Sequence, residues 1–293
     1  MTLTSILLVL VSAFVHAGWN LLGKRSGANG AYFGIAGATG FLVMIPVFLL
    51  WNDTVRAMPG VLWLYLGATG FFQGLYFVGL AGAYRTGDLS VAYPVARAFP
   101  VLIVPFIAVA LGTGLLPSGI ALVGMVVVAA GLLVIPGGRF SRTSLLYALV
   151  AGIGTAGYSI IDDAALAVFR DVAGGGLAIR APMIYSGFQS LSTAIILSVS
   201  TVFRHGRTGY VRELKTTSVR SAVAAGGAII VAYCLVLVAY GFATNVGYVV
   251  AFRQVSLPIG TVLGVFVLRE TTNTTRLLGT ALIIVGLVLV GIG

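Results

Sequence analysis

Apolar residues in this chain gather into long runs separated by short stretches of charge, proline and glycine. The runs predict ten helices, near residues 2–22, 31–51, 59–83, 89–112, 117–136, 144–169, 178–203, 217–241, 245–268 and 274–293. Each is close to the about 20 residues that cross a hydrocarbon core about 30 Å thick. Short polar connections leave the helices as antiparallel neighbours, so the expected fold is all-α and membrane-spanning.

Composition supports this reading. Of 293 residues only 17 are Lys or Arg and 7 Asp or Glu, 8% in all, while 59% are hydrophobic; a soluble domain carries roughly a quarter charged residues. Ten crossings use roughly 200 residues, which leaves no room for a sizeable soluble domain. The net charge of +10 arises from scarce acids, not abundant bases, so no nucleic-acid partner is expected. The lone Cys234 excludes a disulfide framework. The glycines follow no strand and precede no Gly-Lys-Ser/Thr, so they are not a nucleotide loop. No cofactor, metal or catalytic residue is expected, and no ATP-binding domain occurs in the sequence.

An internal repeat is the most informative pattern. Ala17, Gly18, Trp19, Asn20 and Leu21 align with Ala156, Gly157, Tyr158, Ser159 and Ile160. Further along, Tyr76 answers Tyr233, Tyr84 answers Tyr240, Arg97 answers Arg253, and Gly124 with Gly131 answers Gly279 with Gly286. The offset runs from 139 between Ala17 and Ala156 to 155 between Gly124 and Gly279. The chain therefore divides into residues 1–138 and 139–293, each predicted to hold five helices. Five is odd, so the second half enters the membrane from the opposite face, an inverted repeat of the kind that builds alternating-access transporters. With the first residue outside, inner connections hold twelve basic residues and outer ones only Arg56, Arg170 and Arg180. The positive-inside rule then places both termini on the outer side.

Several residues carry a resemblance. The opening His16, Ala17, Gly18, Trp19, Asn20 and Lys24, together with Arg253, Ser256, Pro258, Gly264, Glu270, Gly279 and Gly286, resemble the EamA-like branch of the drug/metabolite transporter superfamily. The resemblance covers essentially the whole chain. It implies ten helices in two inverted five-helix repeats and export across a bacterial inner membrane. It leaves the cargo open, because members carry amino acids, sugars, nucleotide-linked compounds and drugs. The first half departs from the pattern: Thr113 and Gly114 follow Leu111 and Gly112 where a glutamate would stand.

Candidate chemistry centres on polar groups inside the predicted helices, where a charge costs about 3 kcal/mol on insertion scales. Arg97 and Arg253 each stand about eight residues into their helix, roughly 12 Å deep at 1.5 Å per residue. Two guanidiniums near the midplane suit a carboxylate, phosphate or sulfonate held bidentately. The alternative is that they pair with Asp163, Asp88 or a helix-end carbonyl. His16, Asn20 and Lys24 share one face of the first helix, and Thr155, Ser159 and Asp163 the equivalent face of the sixth. The two stripes read as walls of a wet cavity or as interhelical hydrogen bonds. Trp19 lies beside the first stripe. Tyr93 precedes Arg97 by one turn, Tyr185 precedes Gln189, and Gln73 precedes Tyr76, each pair setting a ring beside a polar group. Asp162 and Asp163 could bind a coupling proton, Asp163 being the candidate carried forward; the alternatives are that Asp163 neutralises Lys24 or an arginine and that Asp162 reaches the interface.

The expected function is secondary transport, most simply export, of a small organic metabolite bearing an anionic group. Alternatives are export of aromatic amino acids or amphipathic drugs, an intramembrane enzyme using His16, Ser159 and an aspartate, and a lipid flippase. Expected partners are the small-molecule substrate, membrane lipid and a coupling proton, the protein being a monomer or homodimer.

Overall fold

A computed structural model describes residues 2–86, 89–136, 142–172, 179–268 and 273–293; within these helices the side chains of Lys24, 83–86, 89–93, Ser144, 171–172 and 263–268 fall outside the description. All regular structure among the described residues is helical. In chain order the helices are α1 (Leu3–Arg25), α2 (Gly30–Leu50), α3 (Asn52–Arg56), α4 (Val61–Thr86), α5 (Leu89–Ala110) and α6 (Gly119–Val134). They continue with α7 (Arg142–Val172), α8 (Arg180–Thr216), α9 (Val219–Tyr240), α10 (Val246–Phe252), a 3-10 turn (Arg253–Val255), α11 (Ser256–Leu268) and α12 (Thr274–Ile292). Among the described residues seven helices are long and apolar enough to cross a membrane, and the apolar stretches Pro94–Ala110, Gly119–Val134 and Val246–Val262 are shorter. Large apolar side chains such as Leu50, Leu64 and Phe203 stand more than 70% exposed on the outer faces, where lipid rather than water would cover them. The chain is a multi-pass membrane protein.

Local chemistry sets the helix ends. Asn29, Ser118, Asn245 and Asn273 accept hydrogen bonds from the backbone N–H groups of Tyr32, Ala121, Gly247 and Arg276 through their side-chain oxygens, satisfying donors that the first turn leaves free. Three features differ from the sequence expectation. The run near 245–268 is broken at the 3-10 turn. Pro258 has no N–H for the carbonyl four residues back and its ring crowds that position. The run near 178–203 continues to Thr216 through a bend at Gly206, whose φ of 68° only glycine adopts readily. Polar residues after Phe203 disguise that continuation. The short α3 fills what looked like a loop.

The helices pack in antiparallel pairs. α6 lies against α12, with Gly124 facing Gly286 and Gly131 facing Gly279. A Cβ on any of the four would come within 2.7 Å of the carbonyl oxygen opposite. α4 lies against α7, where Gly79 and Gly154 admit the neighbouring backbone in the same way. α1 lies against α9, joined by Ser5 and Ser12 hydroxyls donating to the carbonyls of Ala239 and Ala232. α2 lies against α8, and α5 contacts α7, α6 and α10.

Candidate functional site

α1, α4, α5, α7, α8, α9, α10 and the 3-10 turn enclose a cavity of about 70 Å³, room for roughly five waters. Its polar walls come from residues that the repeat relates in pairs: His16 and Thr155, Trp19 and Tyr158, Tyr76 and Tyr233, Arg97 and Arg253 all line it. Gln189 of α8 lines it too. Tyr158 bridges the rings, its centroid 6.1 Å from Tyr76 and 6.0 Å from Tyr233, both edge-on.

The two arginines use their donors differently. Arg97 is buried, and its Nη1 donates to Ser256 Oγ at 2.8 Å, to Gln254 Oε1 at 3.2 Å and to the Arg253 carbonyl at 3.5 Å. These acceptors all belong to the interruption between α10 and α11, so Arg97 plugs the gap that Pro258 opens. Its Nη2 meets His16 Nε2 at 2.5 Å. That contact needs the imidazole lone pair, and His16 is therefore neutral. The Arg253 guanidinium instead lies over two rings, 5.8 Å from the centroid of Tyr158 and 5.6 Å from that of Tyr233. The Tyr158 hydroxyl is the side-chain acceptor set against it. Cation–π contact stabilises the charge through the ring faces, and of the five N–H donors of a guanidinium those not directed at Tyr158 remain for the cavity.

Behind Tyr233 lies a carboxylate wholly shielded from solvent. Asp162 accepts from the Tyr185 hydroxyl at 2.8 Å, from Gln189 Nε2 at 3.0 Å and from the Tyr233 hydroxyl at 2.5 Å. Gln189 also reaches Thr69 Oγ1, at 3.4 Å. Three donors from α8 and α9 thus hold an ion in place of water, as a buried charge requires.

Several sequence expectations are corrected. Asp163 does not line the cavity; it is half-buried and acts electrostatically on Arg170. A one-residue step turns a helical side chain by about 100°, which is why its neighbour Asp162 faces inward. Asn20 turns its amide back to the His16 carbonyl at 2.9 Å, and Ser159 donates to the Thr155 carbonyl at 2.7 Å. Neither lines the cavity, since short polar side chains on a helix close onto the carbonyl four residues back. Tyr185 serves Asp162 instead of forming a wall. The side chain of Tyr93 lies outside the described residues, as do those of Lys24 and Asp88.

Tyr158 and Tyr233 went unnominated, and Asp162 was named only beside Asp163 as a group that could bind a coupling proton. The signal for the two tyrosines was present, because their repeat partners Trp19 and Tyr76 were chosen.

No protein-family model matches this sequence, and no curated protein matches it. A crystal structure of another protein superposes with a TM-score of 0.72 at 20% identity, over 98% of this chain and 97% of the other. That likeness is one of fold.

Proposed function

We infer that this protein is a secondary transporter of EamA-like drug/metabolite type. In this reading it exports a small organic metabolite bearing an anionic group by alternating access between residues 1–138 and 139–293. One observation carries it: a cationic guanidinium, held by two ring faces and the Tyr158 hydroxyl, faces a buried, partly polar cavity whose walls come from residues 1–138 and 139–293 alike. A cavity with few polar groups and many rings suits a small organic molecule.

Packing supports the inverted halves. Exchanging each helix with its counterpart returns the same neighbours: α4 with α7 becomes α9 with α1, α5 with α7 becomes the α10–α11 segment with α1, and α6 with α12 maps onto itself. The glycine contacts obey the same exchange, Gly124 on Gly286 becoming Gly279 on Gly131. The caps Ser118 and Asn273 stand at the same offset as those glycines. With both termini on the outer side of a bacterial inner membrane, a reporter fused after Gly293 would be active only outside the cytoplasm. Activity in the cytoplasm reverses the orientation.

The test of the substrate class is a thermal-shift screen of purified protein against carboxylates, phosphonates, sulfonates, amino acids and cationic drugs, since a ligand of the folded state raises the midpoint by mass action. Anions are expected to raise it; a shift with cationic drugs alone overturns the anionic reading. A second reading, export of aromatic amino acids or amphipathic drugs, draws on the rings of Trp19, Tyr76, Phe77, Tyr158 and Tyr233 around the cavity. The same screen separates the two.

A further inference from the structure

Asp162 is wholly buried, yet two cavity-lining side chains, Tyr233 and Gln189, reach it. The Tyr233 hydroxyl donates to Asp162 Oδ2, while the Tyr233 ring lines the cavity and carries the Arg253 guanidinium on its face. The geometry points to Asp162 as a proton-binding site loaded together with the substrate, so that one anion at Arg253 and one proton at Asp162 bind as a pair. This rests on the anion-binding reading above and adds its coupling ion and the sign of the coupling.

Charge counting gives the sign. Arg97 and Arg253 line the cavity and Asp162 lies behind Tyr233, with His16 neutral against Arg97. Protonating Asp162 there would leave two cations facing each other in a medium of low dielectric. A bound anion takes over as the counter-charge to Arg253, and the carboxylate can then be neutralised without that penalty. Hydrogen bonding works in the same direction. When a proton from water reaches Oδ2, the new carboxyl O–H donates to the Tyr233 oxygen. The Tyr233 hydroxyl hydrogen is then free to turn toward the cavity and donate to the anion beside Arg253. No bond other than O–H is made or broken, and the proton is balanced by the anion's charge.

The surroundings of Asp162 leave it as the group to titrate. α8 presents Tyr185 and Gln189, α9 presents Tyr233 and Tyr240, and α4 presents Thr69. Arg253 acts on it from the 3-10 turn, and Arg97 of α5 lines the same cavity. On its own helix Tyr158 lines that cavity, and Asp163 is engaged with Arg170. Ordinary tyrosines and arginines do not change charge near neutral pH.

The experiment measures binding of benzenesulfonate and methanesulfonate, which stay ionised throughout, to detergent-purified protein between pH 5 and pH 9, with proton uptake followed in weak buffer. Reciprocal linkage requires affinity to rise as pH falls, approaching about tenfold per pH unit over the titration range, with about one proton taken up per anion bound. Asp162→Asn, whose amide can donate to the Tyr233 oxygen as the protonated acid would, is expected to bind tightly at every pH and to release or take up nothing. Tyr233→Phe is expected to bind more weakly while keeping a reduced pH slope. If Asp162→Asn does not fold, infrared difference spectra of the wild type on adding the anion serve instead, with a protonated-carboxyl band expected to appear. Binding without pH dependence or proton uptake overturns the coupling and leaves the anion site standing. So does a slope that survives Asp162→Asn and vanishes in His16→Gln. A wild type that binds neither sulfonate at any pH overturns both the coupling and the anion reading.

Discussion

Arg97 and Arg253 occupy equivalent places in the repeat, and their surroundings give them separate tasks. Arg97 satisfies the backbone and side chains of a broken helix, so its loss leaves buried acceptors unpaired at about 1–3 kcal/mol. Arg97→Gln is therefore expected to lower the melting midpoint of the ligand-free protein. Arg253→Gln is expected to leave that midpoint nearly unchanged and to weaken anion binding about 10- to 100-fold, the worth of one or two charge-assisted hydrogen bonds. Isothermal titration and scanning calorimetry on the two variants check this; an equal fall in stability for both would contradict the division of roles. The pair of arginines was legible in the sequence because intramembrane charge is rare and their spacing repeats. Their different duties were not, since these depend on Pro258 interrupting one helix of the pair while α5, with Pro94, Pro100 and Pro105, runs on unbroken.

Among the elements, α6 and α12 show most directly how glycine sets helix distance. Their four facing glycines leave each backbone in contact with the next, so dispersion between main chains replaces the hydrophobic drive that lipid does not supply. In Gly286→Ala the new methyl would stand 2.7 Å from the Gly124 carbonyl oxygen and the Val128 nitrogen, and separating the helices costs about 1–3 kcal/mol. Gly67→Ala, on a stretch of α4 with nothing within 4 Å, is expected to be neutral or slightly stabilising. Thermal unfolding of the two single variants in one detergent makes the comparison, and equal midpoints would contradict the tight seam. The sequence placed these glycines correctly as a repeated pair at the right spacing. It did not reveal the helix beyond Gly206 or the short α3, because polar, surface-lying helices carry no apolar run to mark them.

At the scale of the molecule, helices from residues 1–138 and 139–293 meet around a cavity lined by His16 with Thr155, Trp19 with Tyr158, Tyr76 with Tyr233 and Arg97 with Arg253. The repeat made the opposing walls legible; the angular setting of each helix did not follow from it. A rotation of one position exchanges Asp163 for Asp162, and sequence periodicity does not resolve that step. The cavity holds about 70 Å³, so the proposed transport requires it to open first on one side and then on the other. Ser190 lines the cavity, and Cys234 is the chain's single cysteine. Ser190→Cys in a Cys234→Ser background therefore supplies one thiol within the proposed path. The decisive measurement is its labelling by a membrane-impermeant maleimide in right-side-out and inside-out vesicles. The expected result is reaction from both faces, slowed by any anion that raises the melting midpoint. A thiol reached from neither face, or from one face alone under all ligand conditions, would contradict a site alternately open to the two sides.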